Sequence, residues 1–258
     1  MLMKISVVIN TLNEEENIAG CIGAVKGFAD EVVVADMYSS DRTAAIASGL
    51  GAEVRAIPRS RFVDPSRNLA LSFAAGDWIL VLDADERATP EALARLREIA
   101  EKDLADVVEA PFEVWMFGRR VRYSGWQDIR KKIFFKKGFL SYTETEVHAQ
   151  PEWKGRLLKL PMESGRIVHY NYRSIRQFIS RLNDYTDGEA AKLLRAGREN
   201  TPLKGVYWGF RHFLRRYISR SGYRDGYLGL MLSAAMGFYW FVAFCKAWEA
   251  GGRGADQQ

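Results

Sequence analysis

The first hundred residues alternate two hydrophobic periods, and this alternation constrains the fold more than any other feature. KISVVI (4–9), EVVVAD (31–36), AEVRAI (52–57) and DWILVLD (77–83) are short apolar or β-branched runs, the pattern of strands covered on both faces. Helices are predicted between and after them, over 14–28, 41–49, 65–75 and 89–103. Such alternation predicts βαβ units and an α/β fold with a mainly parallel central sheet and helices on both faces. Ligands of these sheets bind beyond the carboxyl ends of the strands, so the loops that follow the strands are where chemistry is sought.

The pattern changes over about 107–170. VVEAPFEVWMFGRRVRYS, IRKKIFFKK and GRIVHYNY read as a mixed, more antiparallel part with turns at Gly118 and Gly138. A helix is predicted over 174–196, with Phe178, Leu182, Tyr185 and Leu193 near helical spacing. At 48% hydrophobic and 27% charged, the chain has the composition of a folded globular protein. Its net charge of +5 suits nucleic acid, an anionic membrane or phosphorylated substrates without selecting among them. Cys21 and Cys245 are far apart and in apolar settings, so both are expected to be reduced core residues. That expectation points to the cytoplasm, and the quickly acidic N-terminus does not read as a secretory signal.

The chain that builds DWILVLD continues as ADER, placing Asp83, Asp85 and Glu86 side by side. If the extended geometry persists, Asp83 and Asp85 at i and i+2 present carboxylates in one direction. Like charges held close need a cation between them or water to solvate them, and Mg²⁺ or Mn²⁺ is the natural partner, taking carboxylates together with substrate phosphates. Helix capping is the competing explanation, but Thr89 and Pro90 already supply the next helix with a cap and a first-turn proline. Glu86 is left without a role and reads as a solvated neighbour. Asp36 ends another strand, where Ser40 or Asp41 is an alternative cap for the following helix. Thr11, Asn13 and Glu14 follow the first strand, again with capping as the alternative. Together the three loops describe a pocket for a base, a ribose and a metal-bound diphosphate. The phosphate-binding glycine motifs G-x-x-x-x-G-K-[ST] and G-x-G-x-x-G are absent, which leaves a metal and basic side chains such as Arg67 to hold phosphate.

SVVINTLNEEENI, VVVADMYSSDRT, SRNLAL and GDWILVLDADE, in that order, resemble family 2 glycosyltransferases of the GT-A fold. Within that family the sequence is most similar to the bacterial lipopolysaccharide-core β-glucosyltransferase group. The resemblance is strong over about 4–90 and weaker through VHAQPEW, IVHYNYRSIRQFISRLNDYT and GYRDGYLGL. It implies that Thr11, Asn13 and Glu14 line the nucleotide pocket, that Asp36 meets uracil or ribose, and that Arg67 lies on the nucleotide side. Asp83 and Asp85 are then the D-x-D pair, Asp85 a metal ligand and Asp83 directed to ribose or metal. Leu12 stands where many members have tyrosine. The implied donor is a UDP-sugar, with UDP-glucose leading, and the implied reaction is an inverting displacement assisted by a carboxylate base.

Candidates for that base lie in SYTETEVHAQPEW: Glu146 first, Glu144 second, with His148 either orienting the site or reaching the metal, or else a satisfied strand histidine. Related sequences often have an acid after the valine-histidine pair, where this chain has Ala149. His169 reads as a satisfied strand histidine. The implied organisation is a nucleotide-sugar-binding and catalytic domain over 1–172 and a C-terminal helical region over 173–258.

Arg211, Arg215, Arg216, Arg220 and Arg224 precede Gly226 to Cys245, twenty residues without a charge. A spanning helix needs about 20 apolar residues. Internal glycines and interior Tyr239 and Trp240 leave a span, a buried helix and an interfacial membrane contact all open, with a solvated basic face or an oligomer interface as the plain alternative. The combined expectation is a cytoplasmic enzyme at an anionic membrane surface, transferring sugar to a lipopolysaccharide-core or other saccharide-bearing lipid. No nucleic-acid partner is expected. Alternatives are a protein or polyprenyl-phosphate acceptor, or a non-catalytic nucleotide-sugar-binding scaffold at the membrane.

Overall fold

The computed structural model describes residues 3–59, 66–142, 151–197 and 200–255. The chain divides into two compact units, one formed by Met1–Glu113 with Ile129–His169 and the other by Val114–Asp128 with Tyr170–Gln258.

The first unit is the α/β part. Its elements open with β1 (Ile5–Thr11), α1 (Ile18–Val25), β2 (Glu31–Asp36), α2 (Thr43–Gly49) and β3 (Glu53–Ala56). Next along the chain come α3 (Arg67–Ser72), β4 (Trp78–Asp83), β5 (Glu86–Ala88), α4 (Pro90–Glu101), β6 (Val107–Met116), β7 (Arg119–Val121) and β8 (Arg130–Lys136), of which β7 and the end of β6 belong to the second unit. Among the described residues four further strands complete the β-structure: β9 (Leu140–Ser141), β10 (Glu152–Trp153), β11 (Leu157–Lys159) and β12 (Ile167–Tyr172). The sheet runs in the order β3-β2-β1-β4-β8-β6. β1 pairs parallel with β2 and β4, and β2 with β3, while β8 joins β4 antiparallel.

β1 is central, and all seven of its residues are buried. Its side chains alternate between two cores, as a period of two requires. Ile5, Val7 and Ile9 pack with Ile18, Val25 and Leu96 on one face, and Val8 packs with Ala35, Ala70 and Val81 on the other. Helices therefore cover both faces, which is why these strands read as continuous apolar runs. α1 begins at Ile18 rather than near 14, because residues 13–17 form a polar loop. The Thr89 cap is present: its side chain accepts from the Ala92 amide at 3.3 Å, with Pro90 in the first turn. Cys21 is buried as expected, but Cys245 is only half-buried.

The second unit opens with the β6–β7 hairpin, turned by Phe117 (φ 54°) and Gly118 (φ 72°). Helices α5 (Ile175–Arg195), α6 (Pro202–Leu214) and α7 (Gly226–Ala255) follow. α5 buries Phe178, Leu182, Thr186 and Ala190, so the stripe predicted through Tyr185 and Leu193 turns slightly from that reading. α6 and α7 meet backbone to backbone. A Cβ on Gly209 would lie 2.7 Å from the Gly237 carbonyl oxygen, so only glycine permits this approach. The opposite side of α6 carries Leu203, Val206, Tyr207 and Phe210, all more than half exposed. α7 buries Leu232, Ala243, Phe244 and Ala247, and by length and composition it is apolar enough to cross a membrane.

Candidate active site

β4 delivers Asp83 to its carboxyl end, where the chain turns at Ala84 and Asp85 before β5. The strand geometry therefore does not continue to Asp85, and the two carboxylates meet different partners. Arg67 Nη2 donates to both Asp83 oxygens, at 2.8 and 3.2 Å, and Lys131 Nζ lies 3.9 Å away. Burial pushes the Asp83 carboxyl up, but the charges of Arg67, Lys131 and His169 outweigh it and hold the group below its usual range. Asp85 Oδ2 lies 3.3 Å from His169 Nε2. His169 is thus not a plain strand histidine. β12 pairs antiparallel with β5, placing His169 opposite Glu86. Burial pushes its imidazole down and the Asp85 carboxylate pulls it up further, for a net rise.

Glu86 is corrected most. It is 2% exposed, accepts from the Asp83 amide at 3.0 Å and pairs with Lys131 Nζ at 2.7 Å. Burial lowers the Lys131 ammonium, but Glu86 and then Asp83 raise it above the usual lysine value. Arg87 fastens the same turn. Its guanidinium donates to the carbonyls of Ala84 at 2.8 Å, Glu86 at 2.9 Å and Asn17 at 2.6 Å, joining the turn to the loop after β1. Sequence reasoning did not single out Lys131 or Arg87. Lys131 stands beside Lys132 in the same run, and only the return of β8 against β4 separates their surroundings.

The loops after β1 and β2 are laced together. The Asn13 amide donates to Ser39 Oγ at 2.9 Å, and Asn13 Oδ1 accepts from the Ser40 amide at 2.8 Å. The Glu14 amide donates to Thr43 Oγ1 at 2.8 Å, and Glu14 Oε2 accepts from Asn17 at 2.7 Å. Asp36 is buried, and its carboxylate accepts from the Ser39 amide at 3.0 Å and the Ser39 hydroxyl at 2.6 Å. Asp41, not Ser40, serves the start of α2, accepting from the Thr43 amide at 2.9 Å. Asn13, Glu14 and Asp36 thus shape the loops as well as bordering them. Thr11 differs: its hydroxyl is buried without a partner among the described residues, as is the whole Asn10 side-chain amide. Unpaired buried polar atoms at a strand's carboxyl end cost about 1–3 kcal/mol each unless a ligand satisfies them.

Asn68, next to Arg67, grips Tyr142 at both backbone groups, with its Nδ2 2.6 Å from the Tyr142 carbonyl and its Oδ1 2.8 Å from the Tyr142 amide. Glu144, Glu146 and His148 come next in the chain and lie outside the described residues. Among the described residues no three histidine, cysteine, aspartate or glutamate side chains converge as a metal cluster.

A parallel sheet that gathers acids, an arginine and a lysine at its carboxyl ends is the framework of an α/β enzyme binding its substrate at the strand ends. The chain belongs to glycosyl transferase family 2, whose sequence model matches residues 6–160, and it is a glycosyltransferase. An uncharacterised glycosyltransferase of Rickettsia typhi is 27% identical over 96% of this chain and 88% of its own length. The dolichol-phosphate mannosyltransferase of Pyrococcus furiosus is 33% identical over 48% of this chain and 39% of its own. Among solved structures, glucosyl-3-phosphoglycerate synthase from Mycobacterium tuberculosis, in complex with Mn²⁺, UDP and glucosyl-3-phosphoglycerate, matches 44% of this chain and 45% of its own. Its sequence identity is 24% and its TM-score 0.38.

Proposed function

We propose that this glycosyltransferase moves a hexose, glucose as the leading case, from a UDP-sugar to a saccharide carried on a lipid, with inversion at the anomeric carbon. The observation that carries the donor half is the paired arrangement at the end of β4, where Asp83 is held by Arg67 while Asp85 faces His169. Asp85 and, in its neutral form, His169 would hold a Mg²⁺ or Mn²⁺ ion, which takes one or two protein donors together with substrate phosphates. A metal held there would supply charge neutralisation for the departing diphosphate. Asp83, fixed by Arg67 and the Glu86 contact to its amide, is directed to the ribose rather than to the metal. The unpaired Thr11 hydroxyl and Asn10 amide offer hydrogen bonds to the nucleotide. An acceptor hydroxyl attacks the anomeric carbon as its bond to the diphosphate oxygen breaks. The hydroxyl proton passes to a carboxylate, Glu146 or Glu144, and UDP leaves.

The acceptor half is supported by α6. Its exposed Leu203, Val206, Tyr207 and Phe210 follow helical spacing beside Lys204, Arg211 and Arg215, the composition of a helix lying in an anionic membrane interface. On this reading the enzyme works at the inner face of the cytoplasmic membrane, on a lipopolysaccharide-core or polyprenyl-linked acceptor. A dolichol-phosphate enzyme among the relatives keeps the second acceptor in view.

The test is turnover of UDP-sugars with Mn²⁺ or Mg²⁺ by the Asp85→Asn variant. Sugar transfer and UDP release are expected to fall at least about 100-fold with the melting temperature nearly unchanged. Near-normal turnover would remove Asp85 from the chemistry.

A further inference from the structure

The second unit contains a cavity of ≈ 300 Å³ whose walls include Arg215, Arg216, Arg220 and His212. The backbone explains the crowding. α6 does not end in a regular turn but widens into a π-helical one over Arg215–Ser219, closed by the bond from the Arg220 amide to the Arg215 carbonyl at 2.9 Å. An i to i+5 turn brings Arg215 and Arg220 to one side, and such turns are frequent at functional sites. The hairpin supplies the facing rim. The Ser124 amide donates to the Arg220 carbonyl at 3.0 Å, and Arg216 Nη1 donates to the Ser124 carbonyl at 2.6 Å. Ser124 holds a left-handed φ of 62°, a conformation that costs a non-glycine residue energy and clusters at functional sites.

The charges around this cavity do not balance. Neither Arg215 nor Arg216 has a carboxylate partner among the described residues; Arg216 instead stacks on the Trp126 ring at 4.3 Å. Arg220 reaches Asp128 at 3.3 Å, but both side chains are well exposed, so that pair is weak. Among the described residues Glu189 is the only carboxylate lining the cavity, and the Tyr239 hydroxyl lies 3.4 Å from it. Burial, then the neighbouring charges of Arg215 and Arg220, push Arg216 down to about 10. Burial and the surrounding arginines push His212 down to about 4, leaving it neutral and stacked on Trp240 at 4.4 Å. The fully buried Ser124 hydroxyl has no partner among the described residues. Three guanidinium groups held together against mutual repulsion, beside a spare hydroxyl, are an arrangement that a multiply charged anion would relieve. Guanidinium forks match phosphate bidentately, and the volume is at the small end of ligand pockets.

We propose that this cavity is a binding site for an organic phosphate, with Arg215 and Arg220 holding the phosphate, Arg216 and Ser124 completing the cradle and Glu189 accepting from a ligand hydroxyl. The inference does not rest on the donor chemistry of the first unit. The phosphate belongs either to a small soluble ester or to a lipid headgroup, and binding measurements separate the two. Tryptophan fluorescence and melting temperature are followed with inorganic phosphate, with glycerol 3-phosphate, and with phosphatidylcholine vesicles with and without phosphatidic acid. The same titrations are run on Arg215→Gln and Arg220→Gln, whose exposed side chains leave the fold intact. Saturable binding of glycerol 3-phosphate, weakened at least about tenfold in each variant, assigns a soluble ester. Binding confined to vesicles with phosphatidic acid, weakened likewise, assigns a headgroup. No saturable binding of any probe overturns the proposal, as does binding that both variants retain in full.

Discussion

At the scale of single residues, Glu86 ties the candidate site together although nothing in its sequence neighbourhood distinguishes it from a surface acid. It is the fourth residue of a charged run, and its burial follows from the turn at Ala84 and Asp85 that folds β5 back beneath the end of β4. One oxygen meets the Asp83 amide and the other meets Lys131, so removing it strips partners from two groups. Glu86→Ala is expected to lower unfolding free energy by about 2–4 kcal/mol, because a lost buried partner leaves the remaining charge and amide unpaired. Arg42 and Glu15 form an exposed pair, with side chains 81% and 36% accessible, and Arg42→Ala should cost less than about 1 kcal/mol. Urea melts of the two variants decide; equal costs would show that Glu86 is not the anchor described. Asp83 and Asp85 were legible as candidates, since capping left them without work. Their partners were not, because Lys131 and His169 arrive on strands whose pairing is set across the whole sheet.

At the scale of elements, legibility follows the range of the interactions. β1, β2 and β4 were readable because both faces are buried, and α4 because Thr89 and Pro90 mark its start. The return strands β8 and β12, the widened turn after α6 and the division that places 114–128 with the C-terminal helices depend on pairings far apart in sequence. Asp106 shows how those later strands are secured. Its carboxylate accepts from the Arg156 side chain at 3.1 Å, from the Arg156 amide at 2.8 Å and from Lys136 at 2.7 Å, joining the starts of β6 and β11 to the end of β8. The Arg156 hydrogen bond, then that of Lys136, hold the carboxyl well below its usual range. A folded-state value below the unfolded one, about 3.9, gives stability that is complete above about pH 5 and is lost as pH falls through the folded value. Asp106→Asn is therefore expected to melt below the wild type at pH 7, with the gap closing as the pH is lowered from about 4. A gap that stays constant to pH 3 would mean that the charge on Asp106 contributes nothing. The α6–α7 contact makes a different demand. Gly209→Val would drive a side chain against the Gly237 carbonyl and should cost at least about 1–3 kcal/mol, read as a lower denaturant midpoint.

At the scale of the molecule, a net charge of +5 selects no partner, and the membrane proposal rests instead on how that charge is distributed. The second unit sets Arg211 and Arg215 beside an α6 face on which Leu203 is 81% and Phe210 62% exposed. Water gives no reason to leave a row of large apolar side chains uncovered at helical spacing, and basic neighbours make an anionic bilayer a better cover than a neutral one. Each basic residue near such a surface contributes about 1 kcal/mol, and each large apolar side chain that enters the interface adds a comparable amount from area burial. The two terms respond differently to salt: the charge term is screened within a Debye length of about 10 Å at 0.1 M, and the apolar term is not. Flotation with phosphatidylglycerol-containing vesicles should therefore weaken as salt rises without vanishing. Phe210→Asp, which alters an exposed position and so spares the fold, should abolish the salt-resistant part. If the wild type fails to float at low salt while light scattering reports a dimer that Phe210→Asp dissociates, the α6 face is covered by a second copy of the chain rather than by lipid.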